Sequence, residues 1–248
     1  MRAWASACTV AALFCPGAAL AADKTCSDIT NDGQPYTVCL VASGDPGLRL
    51  FLGDGKGQVY GSFSALSQGL AAEGQRLVFA MNAGMYRPDL QPVGLYVEGG
   101  RQIHAANTRS GFGNFHMKPN GIFWIGPQGA AVTETSRFLQ MSPKADYATQ
   151  SGPMLVISGK LHPRFRAQAP SRKIRNGVGV CRDGRTRFAI SNTPVTFHDF
   201  AVLFRDKLGC PDALYLDGSI SALLSPELGR SDGWRPMGPI VGLVAKAP

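Results

Sequence analysis

The chain has 248 residues, a formal charge of +8, 44% hydrophobic residues and 17% charged ones, with thirty glycines, seventeen prolines and six cysteines. That is enough apolar material for a substantial core and too mixed a composition for a disordered, fibrous or multi-span membrane protein. The positive balance favours anionic partners such as phosphates or acidic glycans, and no recognisable binding motif points to nucleic acid.

Residues 1–21 read as an export signal. Arg2 precedes an apolar stretch, and Ala19-Leu20-Ala21 fits a small-residue cleavage site. Pro16 and Gly17 make the stretch a poor membrane span, and no later apolar run is long enough to be one. The mature chain is therefore expected from Ala22, in the periplasm or secreted, as a monomer or small homo-oligomer. Four cysteines remain in it, Cys26, Cys39, Cys181 and Cys210. In an oxidising compartment an even count suggests two disulfides. Of three pairings, Cys26–Cys39 is favoured as local, and Cys181–Cys210 because it flanks one sheet–helix unit. No pair has C-x-x-C spacing, which argues against a structural zinc site.

Short strands are predicted over 36–42, 48–52, 77–81, 94–98, 122–125, 154–157, 177–181, 187–191, 213–216 and 240–245. Helices are predicted over 64–73, where Leu66 and Leu70 lie one turn apart, and over 197–208, where Phe200, Leu203, Phe204 and Leu208 form a stripe that Gly209 ends. Gly53-Asp54-Gly55-Lys56-Gly57 lacks the spacing of a phosphate loop and reads as a hairpin turn. Residues 163–175 form a basic loop with five cations and no acid. With no linker, repeat or break in composition, the expectation is a single α+β domain over 22–248: a mixed β-sheet core of short strands with a few flanking helices.

One device recurs at the strand ends. Asn82 follows a strand, Asn120-Gly121 opens one, Gln150-Ser151 precedes Gly152-Pro153 and another, Asn192 follows a fourth, and the apolar run 213–216 ends in Asp217-Gly218-Ser219. Taken singly these are turn sequences. If the rims converge, they line a cleft with amides, hydroxyls and one acid, a lining suited to a hydroxyl-rich ligand. Arg175, directly before Asn176-Gly177 and a strand, is a candidate phosphate clamp through two parallel hydrogen bonds. There is no G-x-S-x-G elbow, no H-E-x-x-H, and His104, His116, His162 and His198 lack ligand spacing.

The ordered set Met81-Asn82-Ala83-Gly84-Met85-Tyr86, Asn120-Gly121-Ile122-Phe123, Gln150-Ser151-Gly152-Pro153, Arg175-Asn176-Gly177-Val178-Gly179 and Leu216-Asp217-Gly218-Ser219 resembles the phosphodiester glycosidase family. That family includes the lysosomal enzyme that uncovers mannose 6-phosphate tags. The resemblance implies an exported hydrolase that cleaves a sugar 1-phosphodiester in a glycoconjugate, with a sugar-phosphate small molecule or glycan as partner. Within it Asp217 would act at the anomeric carbon as nucleophile or general base, and Arg175 would hold phosphate. Asn82, Asn120, Gln150, Ser151, Asn176, Asn192, Gly218 and Ser219 would position the substrate, with Glu98 and Asp199 as reserve carboxylates. No cofactor is expected, although carboxylate and amide oxygens are compatible with calcium or magnesium. Ser219 stands where the family often has a second glycine, and Ala83 where it often has Asn-Gly-Gly. Three rival readings keep the same residues: a non-catalytic glycan- or phosphate-binding envelope protein, an exported interaction protein, and a phosphodiesterase that cuts phosphorus–oxygen.

Overall fold

The computed structural model describes Met1, residues 24–233 and residues 235–248; the expected leader falls outside the described residues from Arg2 onward. In chain order the strands are β1 (Cys26–Asn31), β2 (Gln34–Val41), β3 (Leu48–Phe51), β4 (Gln75–Asn82), β5 (Tyr96–Glu98), β6 (Arg101–His104), β7 (Gly121–Gly126), β8 (Gly129–Glu134) and β9 (Tyr147–Ser151). They continue with β10 (Met154–Ile157), β11 (Lys160–Leu161), β12 (Asn176–Val180), β13 (Thr186–Ser191), β14 (Asp212–Asp217), β15 (Leu223–Ser225), β16 (Arg230–Ser231) and β17 (Ile240–Lys246). Among the described residues three α-helices join them: α1 (Phe63–Ala72), α2 (Thr135–Met141) and α3 (Phe197–Val202), the last running on into a π-helical turn, Leu203–Lys207.

The strands form three sheets: a seven-stranded sheet in the order β1-β2-β13-β12-β14-β10-β11, and two five-stranded sheets, β16-β15-β4-β17-β3 and β6-β5-β9-β7-β8. The α+β class holds, with one correction. The pairs between named strands are antiparallel throughout rather than mixed in direction. Some neighbours are hairpins, such as β1–β2 and β7–β8, and others, such as β2–β13 and β4–β17, are brought together by chain that passes through another sheet.

All three sheets turn one face to a common core, and the ring contacts Phe79–Phe188 at 5.5 Å and Phe123–Phe188 at 5.6 Å tie one strand of each sheet together. Helices cover other faces. In β14, Leu214 and Leu216 point into the common core, while Ala213 and Tyr215 join Phe200 and Phe204 under α3. In β4, Phe79 and Met81 face the common core and Ala80 packs with Phe63, Leu66 and Leu70 of α1. This two-sided burial explains why these strands read as continuous apolar runs. Gly177 and Gly179 let α3 approach, since a Cβ at the first would crowd Phe200 and Leu214, and at the second Phe204 and Cys210.

The helix ends follow local chemistry. Ser62 caps α1 by accepting the Ala65 N–H at 3.1 Å. Thr196 and Asp199 form a reciprocal capping box on α3, which makes Asp199 a helix-start residue that also meets Arg172 at 3.7 Å. The predicted helix 197–208 is thus α-helical only over its first half; Gly209, at φ +69°, closes it. Of the strands missed by the apolar pattern, β1, β6 and β8 are polar or half-exposed edges, whereas β9 is buried at the centre of its sheet but carries Thr149, Gln150 and Ser151 in place of an apolar run. Residues 53–58 make the expected turn, with the Asp54 carboxylate accepting the Lys56 and Gln58 N–H groups. Both favoured disulfides form: Cys26 and Cys39 face each other across β1 and β2, and Cys181 and Cys210 join the end of β12 to the start of β14. Two disulfides are compatible with an extracellular or periplasmic location. Among the described residues no helix is long and apolar enough to cross a membrane.

Candidate active site

Two of the sequence rims, those at Asn82 and Asp217, meet Asn176 where the seven-stranded sheet abuts β4. The asparagines of two sheets lock together there: Asn176 Nδ2 donates to the Asn82 carbonyl at 2.8 Å and to Asn82 Oδ1 at 3.0 Å. Asn82 Nδ2 donates to the Ile220 carbonyl at 2.7 Å, and its Oδ1 accepts the Ala222 N–H at 2.9 Å. Asn176 also sits opposite Asp217 in the β12–β14 ladder, at a bulge, and its Oδ1 accepts the Asp217 N–H at 3.0 Å. Two fully buried asparagines therefore fix the start and end of the turn 217–222. Ser221 finishes it by donating to the Asp217 carbonyl at 2.9 Å.

Asp217 is 7% exposed at the head of this turn. Its Oδ1 accepts the N–H groups of Gly218 at 2.6 Å and Ser219 at 2.9 Å. Loss of water raises its pKa to about 6, and the N–H groups of Ser219, Gly218 and Ile220 pull against that rise. A buried carboxyl with a raised pKa, adjoining residues that line a cavity, is a candidate for proton transfer or nucleophilic attack.

Arg175 departs from the expected phosphate clamp. It is 1% exposed, and its guanidinium is taken up inside the protein. Nε donates to the Val195 carbonyl at 2.9 Å, Nη2 to the Ser171 carbonyl at 3.1 Å and Nη1 to the Tyr215 hydroxyl at 3.4 Å, while the group stacks 3.7 Å from the centre of the Phe197 ring. Enclosed in this way it cannot offer a phosphate two parallel bonds. It braces Tyr215, whose hydroxyl lies against Gly218. Tyr215 reads in the sequence as one more apolar strand residue, and nothing there signals this link.

The space limit at Gly218 is testable. A Cβ there would overlap the Tyr215 hydroxyl. Gly218→Ala is expected to lower thermal stability by about 1–3 kcal/mol. Adding Tyr215→Phe, which removes the overlapping atom, should recover part of that loss in a double-mutant thermal melt. No recovery would show that the overlap is not what the alanine disturbs.

The remaining predicted residues divide. Gln150 has its amide satisfied internally: Oε1 accepts the Leu95 and Asn107 N–H groups, both at 2.9 Å, and Nε2 donates to the Asn107 carbonyl at 2.8 Å and Thr135 Oγ1 at 3.3 Å. Asn120 donates to the Phe115 carbonyl at 2.9 Å, and Ser151 to the Leu216 carbonyl at 2.6 Å. These three spend their polar atoms on nearby strand ends and loops, Ser151 on the strand that leads to Asp217, and offer a ligand little, being almost wholly buried. Asn192 is exposed and accepts from Arg230 at 2.7 Å, in a hollow shared with Ser221 and Asp232. Gly218 and Ser219 line a neighbouring cavity of about 320 Å³ with Ile220, Ser221, Lys173 and Arg235. Glu98 lines a different cavity.

Fold and site together define a three-sheet α+β protein whose sheets meet at a buried acid held by an asparagine pair. Residues 75–242 match the model of the phosphodiester glycosidase family, and the chain belongs to that family. It is 36% identical over 204 residues to the Escherichia coli protein YigE, described as uncharacterized, which covers 82% of this chain and 78% of that one. Its fold is similar to that of the zebrafish N-acetylglucosamine-1-phosphodiester alpha-N-acetylglucosaminidase catalytic domain auto-inhibited by pro-peptide, with TM-score 0.64, 14% identity, and 88% of this chain and 81% of that one covered. A putative exported protein from Burkholderia pseudomallei is similar at TM-score 0.54 and 12% identity, covering 85% and 74% of the two chains.

Proposed function

We propose that this protein is an exported hydrolase of sugar 1-phosphodiesters, with Asp217 as the reacting carboxyl. The observation that carries the reading is the placement of Asp217: a desolvated acid beside a cation-lined cavity, in a chain of the phosphodiester glycosidase family. The departing oxygen of such a substrate belongs to a weakly basic phosphate, so the leaving group needs little protonation. Catalysis then asks for stabilisation of charge growing on the sugar ring and on the phosphate. Ionised Asp217 serves the first as nucleophile or as base for water. Lys173, on the cavity that Gly218 and Ser219 line, serves the second. Arg175 acts indirectly by fixing Tyr215 against Gly218. No step in this reading requires a cofactor.

Purified protein is expected to release free sugar from sugar 1-phosphodiesters and to leave phosphomonoesters intact. In oxygen-18 water the label should enter the sugar; label in the phosphate would establish phosphorus–oxygen cleavage instead. No release from a broad panel would favour the binding-protein reading. Lys173→Ala should raise KM for phosphodiesters by ~10-fold, the scale of one charge-assisted hydrogen bond, and spare neutral aryl glycosides. An equal effect on both classes would remove Lys173 from phosphate recognition.

A further inference from the structure

A second cavity, of about 540 Å³, lies at the seam between the β3 edge of one five-stranded sheet and the β5–β6 hairpin of the other. Arg49, Glu98, Arg101, Tyr147, Gln58 and Ile103 are among its lining residues. One of its walls is the 53–58 turn, a motif that the Asp217 site does not use.

Glu98 is built into this place. Its Oε2 accepts the Leu52 N–H at 3.1 Å and the Tyr96 hydroxyl at 3.0 Å, so the carboxylate is held by a sheet edge and a core phenol. Both bonds fall on Oε2, which leaves Oε1 for a ligand. Burial raises the Glu98 pKa, against the pull of Tyr96, Leu52 and nearby Arg101, and no ion pair neutralises it among the described residues. Oε2 satisfies the Leu52 N–H and the buried Tyr96 phenol, while Oε1 is not among the buried polar atoms and stays accessible.

The chemistry of the lining selects among ligands. A cation would meet Arg49 and Arg101, and an anion would meet Glu98. A hydroxyl both donates and accepts, so adjacent hydroxyls can give to Glu98 and receive from the guanidinium groups at once. Tyr147 and Ile103 offer apolar surface to a ring face. A peptide strand does not fit at Leu52, because that N–H is held by Glu98 and its carbonyl accepts the Tyr60 N–H at 3.0 Å.

We propose that the cavity between β3 and the β5–β6 hairpin is a second carbohydrate site, in which Glu98, Arg49, Arg101 and Tyr147 bind a neutral sugar unit. It stands apart from Asp217 and can hold a glycan whether or not the first site turns over.

Titrating isotope-labelled protein with N,N′-diacetylchitobiose and with maltotriose, followed by amide chemical shifts, tests this. Saturable shifts are expected at Leu52, Gly53, Glu98 and Arg101 with at least one of the two. Glu98→Gln should weaken binding by ~10-fold, and so should Arg101→Ala, whose exposed side chain can be removed without disturbing the core. Asp217→Asn should bind the sugar as the parent does. Arg101→Ala should leave sugar 1-phosphodiester turnover unchanged, which separates this proposal from the one above. No saturable shifts with either sugar, shifts confined to the Asp217 turn, or undiminished binding in both cavity variants would overturn it.

Discussion

Asp217→Asn is expected to abolish hydrolysis, by at least ~100-fold in kcat/KM, while making the protein more stable in mild alkali. Both effects have one cause. The asparagine oxygen can still accept the Gly218 and Ser219 N–H groups that hold the turn, so the fold survives. What disappears is a charge in a place that disfavours it. The Asp217 pKa lies near 6 in the folded protein against 3.8 for an ordinary aspartate. A raised carboxyl favours the fold fully below its unfolded pKa, and that favour is lost as pH rises through the folded value. Above about pH 7 the ionised side chain destabilises the native state on the order of 3 kcal/mol. The neutral variant escapes this, so its melting temperature should exceed the parent's near pH 8 and the advantage should vanish near pH 4. Parent kcat/KM should fall as pH drops through about 6, because the ionised form does the work. A variant as active as the parent would take Asp217 out of the chemistry. A stability difference that does not vary with pH would mean that the acid is not desolvated.

Arg175→Ala should be among the most damaging single changes to stability, at about 3–5 kcal/mol. It empties a buried volume, strands the Val195 and Ser171 carbonyls and removes the donor that fixes Tyr215. Since the guanidinium is enclosed, the residual activity should drop by similar factors for phosphodiesters and for neutral aryl glycosides. Arg175→Lys should rescue little, because one ammonium cannot serve three acceptors in a planar fork while stacking on Phe197. Thermal melts and paired kcat/KM values decide the matter. A selective loss on phosphodiesters, with stability preserved, would mean that Arg175 does face the phosphate.

The two variants also mark where sequence reasoning reaches and where it stops. The apolar runs gave buried strands such as β4 and β14, though not the buried but polar β9, and Leu66 and Leu70 gave α1 by their spacing. Polar edges such as β1 and β8 stayed invisible, because their pairing partner, not their own residues, makes them strands. Asp217 was legible, since a carboxylate directly after four core residues has few structural uses. Asn82 and Asn176 were legible as neighbours of Asp217, but expected there as substrate contacts; both are fully buried and spend their amides on each other and on the 217–222 turn.

What only the tertiary structure decided is which of the polar rim residues look outward. Gln150, Ser151 and Asn120 have the same chemistry as Asn192, yet their bonds close within the protein, whereas Asn192 stays on the surface. Arg175 carries a full charge in a basic segment and is nonetheless enclosed, while Lys173, two residues earlier, reaches the cavity. Burial and hydrogen-bond partners depend on chain segments far apart in order, here three sheets packed on one core. By itself the sequence determined that apolar strands would pack and that acid and amides would gather at their ends. Only the packing of the sheets decided which of those groups remain available to a substrate.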